Sequence, residues 1–247
     1  LGVALEEKYR ERRPLWGEPR PLEKGWTPSS MGGGCDRLTV LGVLGYRGDE
    51  ISAKLRRIFD LGSAIERLWL DRFRELGVLV DAGREITRSE PPILHGRIDA
   101  RVRHPYEPGH LLVVEIKSIN REGFRQLPPV TLDPEANFKA LRELSGKIGD
   151  RVRGYLVQHQ TYLMEDKTPE GLLLFDCKDT SEYADYYVTL EEEFVREQYA
   201  RLVRLEEYRR RAAVPPCSCG KTGVFCKVRP EEEVEVSVFH SMGGLEL

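Results

Sequence analysis

His95-Gly96-Arg97-Ile98-Asp99-Ala100 and Leu111-Leu112-Val113-Val114-Glu115-Ile116-Lys117-Ser118 are the two stretches whose reading decides the fold. Between them lies His104-Pro105-Tyr106-Glu107-Pro108-Gly109, which is turn chemistry. The spacing therefore predicts an antiparallel hairpin, with one strand from Ile93 to about Arg103 and the other from Leu111 to Ile119. Side chains alternate faces along a strand, so Glu115 and Lys117 share one face while Ile116 points into the opposite, apolar layer. A turn centred on Glu107 sets Asp99 opposite Glu115, and the two carboxylates then face each other a few ångströms apart on neighbouring strands.

Like charges that close repel unless a cation lies between them, and oxygen ligands at that density suit magnesium or manganese. Lys117 stays charged beside the carboxylates and can orient or polarise a water attacking a phosphodiester. The main-chain carbonyl of Ile116 can complete the coordination. The plainer reading of Glu-x-Lys is an exposed ion pair, which is common and weak. Its setting argues otherwise. Glu115 follows the run Leu111-Leu112-Val113-Val114, as on a buried central strand, where a charge is rarely left without a partner or a metal.

Outward from the hairpin, the apolar stripe Ile51, Leu55, Ile58, Ile65, Trp69, Phe73 and Leu76 predicts a long helix that Gly77 stops, followed by a strand at Val78–Val80. Glu66 borders that stripe between Ile65 and Trp69, so it faces inward as a further carboxylate for a hard cation. Asn120 to Asp150 reads as a Pro-rich loop with a short helix from Glu135 to Leu144. A helix from Arg151 to Glu165, strands at Leu172–Cys177 and Tyr183–Leu190, and a long Arg/Glu-laced helix from Glu191 to Ala212 complete the order. Gln158 and Tyr162 project from one face of their helix, a turn apart. The expected fold is α/β, a central mixed β-sheet flanked by helices. Residues 1–34 read as an irregular N-terminal arm, a short helix carries Cys35 to Leu44, residues 35–230 hold the core and residues 231–247 are a tail.

The chain has 247 residues, is 40% hydrophobic and carries 32% charged residues for a net charge of -3. A polyanion can bind only if the basic groups are segregated, and Arg clusters at 10–13, 56–57, 97–103, 151–153 and 209–211 could line a groove or simply form solvated helix faces. No run approaches the roughly 20 apolar residues that span a bilayer, and no secretory signal is read at the start, so a cytoplasmic protein without membrane contact is expected. In that setting the 5 cysteines argue for metal or cluster ligation rather than disulfides. Three of them, Cys217, Cys219 and Cys226, crowd into one segment. Gly220-Lys221-Thr222 resembles the end of a phosphate-binding loop, but Pro215 stands where its first glycine is needed.

Gly96-x-x-Asp99, Glu115-x-Lys117 and Gln158-x-x-x-Tyr162 occur in the order and at the spacing of the motifs of RecB-like PD-(D/E)XK nucleases, which the chain resembles from about Cys35 to Cys226. The resemblance implies a restriction-endonuclease-like core in which Asp99, Glu115 and Lys117 are catalytic, while Asp99, Glu115 and Ile116 hold magnesium or manganese. Where the family has a histidine on the helix before the sheet, this chain has Glu66. Gln158 and Tyr162 would contact DNA or support the lysine. Within the family, the chain looks like the iron-sulfur subset that includes CRISPR-associated exonucleases and the AddB nuclease domain. Cys35, Cys217, Cys219 and Cys226 would then hold a 4Fe-4S cluster joining the N- and C-terminal parts, with zinc as the alternative; the family's first downstream pair is Cys-x-x-Cys, whereas this chain has Cys217-x-Cys219. The implied substrate is DNA, expected to be single-stranded and attacked from an end, with protein partners in CRISPR adaptation, recombination or repair. A phage- or virus-type recombination exonuclease acting on duplex ends, and a non-catalytic DNA-binding subunit of such a complex, are the alternatives.

Overall fold

The computed structural model describes residues 2–9, 18–32, 34–46, 51–107 and 109–217. In chain order the helices are α1 (Gly2–Tyr9), α2 (Pro28–Met31), α3 (Asp36–Val43), α4 (Ala53–Glu75), α5 (Arg121–Phe124), α6 (Pro134–Glu143), α7 (Gly146–Asp166) and α8 (Glu192–Arg210). The strands are β1 (Leu79–Ala82), β2 (Glu85–Arg88), β3 (Leu94–Arg97), β4 (Ala100–Arg103), β5 (Leu111–Ile119), β6 (Glu170–Cys177) and β7 (Tyr183–Thr189).

The apolar run of β5 makes it the middle strand of a five-stranded sheet ordered β1-β4-β5-β6-β7. β5 and β6 run parallel, and the other neighbours are antiparallel. The parallel pair needs a crossover, and α7 supplies it across one face. This is the mixed α/β sheet flanked by helices that the sequence leads one to expect. The even-numbered side chains of β5, Leu112, Val114 and Ile116, pack with Ile65, Trp69, Leu70 and Phe73 of α4. On the opposite face Ile119, Leu173 and Phe175 pack with Val152, Leu156 and Val157 of α7.

Two features depart from the sequence reading. The strand expected from Ile93 to Arg103 is two strands, broken at Ile98-Asp99, and β3 leaves the main sheet to pair with β2, a strand the sequence reading did not mark. The break turns the chain so that Asp99 stands at the lip of the main sheet. Residues 1–34, expected to be irregular, place Trp26 and Met31 fully inside the core, and Trp26 bridges to Leu94 beside β3. Cys219, Cys226 and the tail at 231–247 lie outside the described residues. Among the described residues, no helix is long and apolar enough to cross a membrane.

Candidate active site

The register of β4 on β5 runs from Arg103↔Leu111 to Ala100↔Val114, and the His104 amide meets the His110 carbonyl at 2.9 Å, so the turn centres on Glu107. One step beyond Ala100↔Val114 the same register sets Asp99 beside Glu115. Asp99 bends across to the neighbouring strand, where its Oδ2 accepts the Ile116 amide at 2.9 Å. Glu115 is fully buried. Its Oε1 accepts from Lys117 Nζ, whereas its Oε2 is buried with no hydrogen-bond partner. A buried carboxylate oxygen left unsatisfied is costly, and a ligand, a water or an ion would relieve that cost.

Electrostatics tie Glu66 to the same centre. Burial pushes the Glu115 carboxyl up to about 8, against the pull of Lys117 and with Asp99 and Glu66 adding to it. Asp99 is also raised by burial, which Lys117, the Ile116 amide and Arg97 oppose. Burial and then the charge of Asp99 raise Glu66. Lys117 behaves in the opposite sense: burial works against its ammonium, but Glu115 and Asp99 outweigh that and hold the proton more firmly than usual. Three acids thus lie around one buried cation, with Arg97 at the edge, and each resists ionising chiefly because burial strips its charge of water, which the nearby cations only partly offset. Among the described residues, no three His, Cys, Asp or Glu side chains are drawn together closely enough to enclose an ion as they stand. Glu115 is turned onto Lys117 and Asp99 onto the Ile116 amide. The donor set itself, oxygen only and short of positive charge, fits a hard divalent cation.

The α4 side of this centre opens into a cleft of about 650 Å³ whose lining includes Glu66, Ile116 and Lys117. Tyr155 of α7 forms part of its wall, with the Lys117 ammonium 5.1 Å from the ring centre. Arg151 and Lys178 also line it, brought from the start of α7 and the end of β6. Arg151 belongs to the Arg cluster at 151–153 expected to line a groove, whereas no sequence pattern marked Lys178, which only the parallel crossover sets on the same rim.

Gln158 and Tyr162 do lie a turn apart on α7, with Gln158 Nε2 3.3 Å from the Tyr162 hydroxyl. They are 8% and 3% exposed, which suits bracing the sheet better than gripping a ligand. The brace depends on Gly96: a Cβ there would stand 2.8 Å from Tyr162 Cε1 and 2.9 Å from Pro28 Cδ. The glycine of one sequence motif and the tyrosine of another are therefore two halves of one contact. His159, between them, is fully buried, has its Nε2 3.0 Å from the Val113 carbonyl and is pushed by burial down to about 4, so it is a neutral packing group.

Cys35 and Cys217 come from opposite ends of the described fold, yet their sulfurs stand 3.9 Å apart. That is far beyond the S–S bond of about 2.05 Å. It is near the ~3.8 Å edge of a tetrahedron built with ~2.3 Å metal–sulfur bonds. Two of the four expected thiols thus stand close together, and the other two, Cys219 and Cys226, lie outside the described residues. Cys177 is buried at the end of β6 and free.

No family model matches the chain. No curated protein matches it either. Among solved structures the chain is similar to the crystal structure of SSO0001, with 16% identity, 93% of this chain and 94% of that chain covered, and a TM-score of 0.45. At that level of superposition the likeness carries no argument about chemistry, and the site rests on its own residues.

Proposed function

We propose that this protein is a magnesium- or manganese-dependent deoxyribonuclease of the RecB-like PD-(D/E)XK type, which hydrolyses DNA phosphodiester bonds from a single-stranded end. The observation that carries the reading is Glu115, a carboxylate sealed in the middle strand, pushed up to about 8, with one oxygen unpartnered and two further acids beside it. What sets that oxygen apart is its company, two further carboxylates whose pKa values are raised as its own is. Asp99, Glu115 and Glu66 would hold the cation, together with the Ile116 carbonyl. When bound, the ion supplies Lewis-acid activation of water and offsets charge on the leaving oxygen. Without it, Glu115 carries a proton at neutral pH. Lys117 keeps its ammonium at the floor of the cleft, positioned for the scissile phosphate and its attacking water. Asp99 is held in register by the Ile116 amide, and Gln158 and Tyr162 brace the strand break that presents it. Cys35 and Cys217, joined by Cys219 and Cys226, would ligate a 4Fe-4S cluster or zinc that staples the N-terminal part to the segment after α8.

The deciding experiment incubates the purified full chain with end-labelled single- and double-stranded DNA and manganese, beside Asp99→Ala and Lys117→Ala. The parent is expected to degrade the single strand from its ends, and both variants are expected to be inactive. Digestion by either variant at the parent's rate refutes the site. Faster digestion of duplex ends by the parent would instead favour the recombination-exonuclease reading.

A further inference from the structure

Away from the acids, a cavity of about 290 Å³ opens where the segment 19–23, the end of α3 and the end of α8 meet. Pro21, Leu22, Val43 and Leu44 give it an apolar lining, and Leu22 is 48% exposed. Three arginines, Arg20, Arg209 and Arg210, stand around that lining. Arg209 is buried; its Nη2 donates to the Arg20 and Pro21 carbonyls at 2.9 Å and 2.7 Å, and its Nε has no hydrogen-bond partner. Arg20 donates to the carbonyls of Lys24 and Gly25. Among the described residues, Glu206 is the only carboxylate in ion-pair range of the three, 3.3 Å from Arg209 and 3.7 Å from Arg210. Glu23 also borders the cavity, so three cations face two acids around an apolar floor. An occupant that matches both features is apolar and acidic at once.

Only one stretch of the chain outside the described residues has that composition. Segment 10–17 carries Arg10, Arg12 and Arg13 against Glu11, and 218–230 carries Lys221, Lys227 and Arg229 with no acid, so the arginines repel both. Segment 47–50 has no apolar side chain. In segment 231–239, by contrast, Glu231, Glu232, Glu233 and Glu235 are interleaved with Val234, Val236, Val238 and Phe239. Its reach is sufficient. Cys217 stands beside Cys35 at the start of α3, and the cavity lies at the other end of that helix, about 12 Å along at 1.5 Å per residue. Even with Cys226 held beside Cys35, the extended chain from Cys226 to Glu231 spans roughly 17 Å. We propose that this cavity is the seat of the chain's own segment 231–239, whose valines cover the apolar lining and whose glutamates lie among the arginines. Seated there, the segment straps the N-terminal arm to the end of α8.

The test compares the full chain with a chain stopped after Pro230, which keeps every cysteine. A labelled synthetic peptide of residues 231–239 is titrated into each by fluorescence anisotropy. The shortened chain should bind it at least tenfold more tightly than the full chain, whose own segment competes at an effective concentration on the order of millimolar. In the shortened chain the half-exposed Leu22→Asp should weaken the peptide about tenfold. The exposed Arg210→Glu should weaken it about fivefold, and a peptide carrying Glu231→Lys, Glu232→Lys and Glu233→Lys should recover that loss. Equal binding by the shortened and full chains, parent-like binding by both variants, or equal binding of a peptide of residues 10–17 overturns the seat. So does a full chain that excludes the peptide only at concentrations where it dimerises, since its segment would then occupy a neighbour. None of these readings involves DNA, a divalent cation or cleavage, so the strap and the nuclease stand or fall separately.

Discussion

Two acidic clusters lie against this sheet, and they are built to opposite rules. At the β1 edge Asp166, whose side chain is 2% exposed, receives Arg84 Nε at 3.1 Å, Arg101 Nη1 at 3.4 Å and the Thr168 hydroxyl at 2.8 Å. Arg101 also donates to Asp81, and that hydrogen bond holds the Asp81 carboxyl below its usual range. Two acids face two arginines there, and the charges balance within the protein. In the middle of the sheet Glu66, Asp99 and Glu115 face one buried lysine; all three carboxyls are pushed up and one oxygen has no donor. The first cluster is balanced as folded, whereas the second leaves one carboxylate oxygen without a donor; under the proposed function a divalent cation would supply the missing charge. Burial alone therefore does not separate a structural acid from a functional one; the local balance of charge and hydrogen-bond donors does.

Removing charge from each cluster should have reciprocal effects, and this is the largest contrast expected. Glu115→Gln should reduce manganese-dependent cleavage on the order of a thousandfold, yet make the chelator-treated protein more stable at pH 8 and above, because it removes a buried charge with too few partners. Asp166→Ala removes the acid shared by Arg84 and Arg101 but leaves Arg101 on Asp81, and should cost about 1 kcal/mol in urea denaturation, with the cleavage rate per folded molecule unchanged. If Asp166→Ala loses cleavage and keeps its stability, the two clusters have been assigned the wrong way round.

The same contrast gives a sign for pH dependence. Glu115 has a folded value of about 8 against an ordinary 4.5, so between those values the folded protein keeps a proton that the unfolded chain has released. Its contribution is fully present below pH 4.5 and is lost as pH rises through about 8. Asp81 runs the other way: its folded value is below the ordinary 3.8, so its contribution is present above that value and is lost as pH falls through the folded one. In EDTA the melting temperature should therefore fall by several degrees between pH 6 and pH 9, and Glu115→Gln should flatten that limb while leaving the acid limb in place. Saturating calcium should abolish the alkaline fall in the parent. An alkaline limb that is unchanged in Glu115→Gln would mean that this carboxyl is not the group being titrated.

How much of this was legible beforehand follows from what each residue depends on. β5 matches its expected bounds, and the turn centres on Glu107, because an apolar run and a Pro/Gly turn are local signals. The pairing of Asp99 with Glu115 followed from that register. The split of Ile93 to Arg103 into β3 and β4 was not legible, since it is enforced by contacts remote in sequence: Trp26 bridging to Leu94, and Tyr162 and Pro28 closing on Gly96. The start of α7 at Gly146 rather than Arg151 escaped for a related reason. Gly146 and Gly149 are poor helix formers, and Ile148 and Val152 hold that turn by packing into the core. On the cleft wall Arg151 belongs to the Arg cluster at 151–153 that was expected to line a groove, whereas Lys178 had no signature, because a rim assembled by a crossover has no spacing.

That remote closure supplies the smallest and most local of the expected effects. A methyl at position 96 has no room, since Tyr162 Cε1 and Pro28 Cδ stand 2.8 Å and 2.9 Å from where it would lie. Gly96→Ala should therefore cost about 2 kcal/mol through overpacking, even though alanine would ordinarily suit a strand better than glycine. Tyr162→Leu removes the ring edge and vacates the space, so adding Gly96→Ala in that background should cost about 1 kcal/mol less than it does alone. The four proteins of this cycle, compared by urea midpoint at a common slope, isolate the contact from the general loss of a buried ring. Additive costs would mean that Gly96 is required by Pro28 alone. A clear coupling would tie the strand break that presents Asp99 to the α7 helix, and with it explain why glycine and tyrosine stand where they do around the acids.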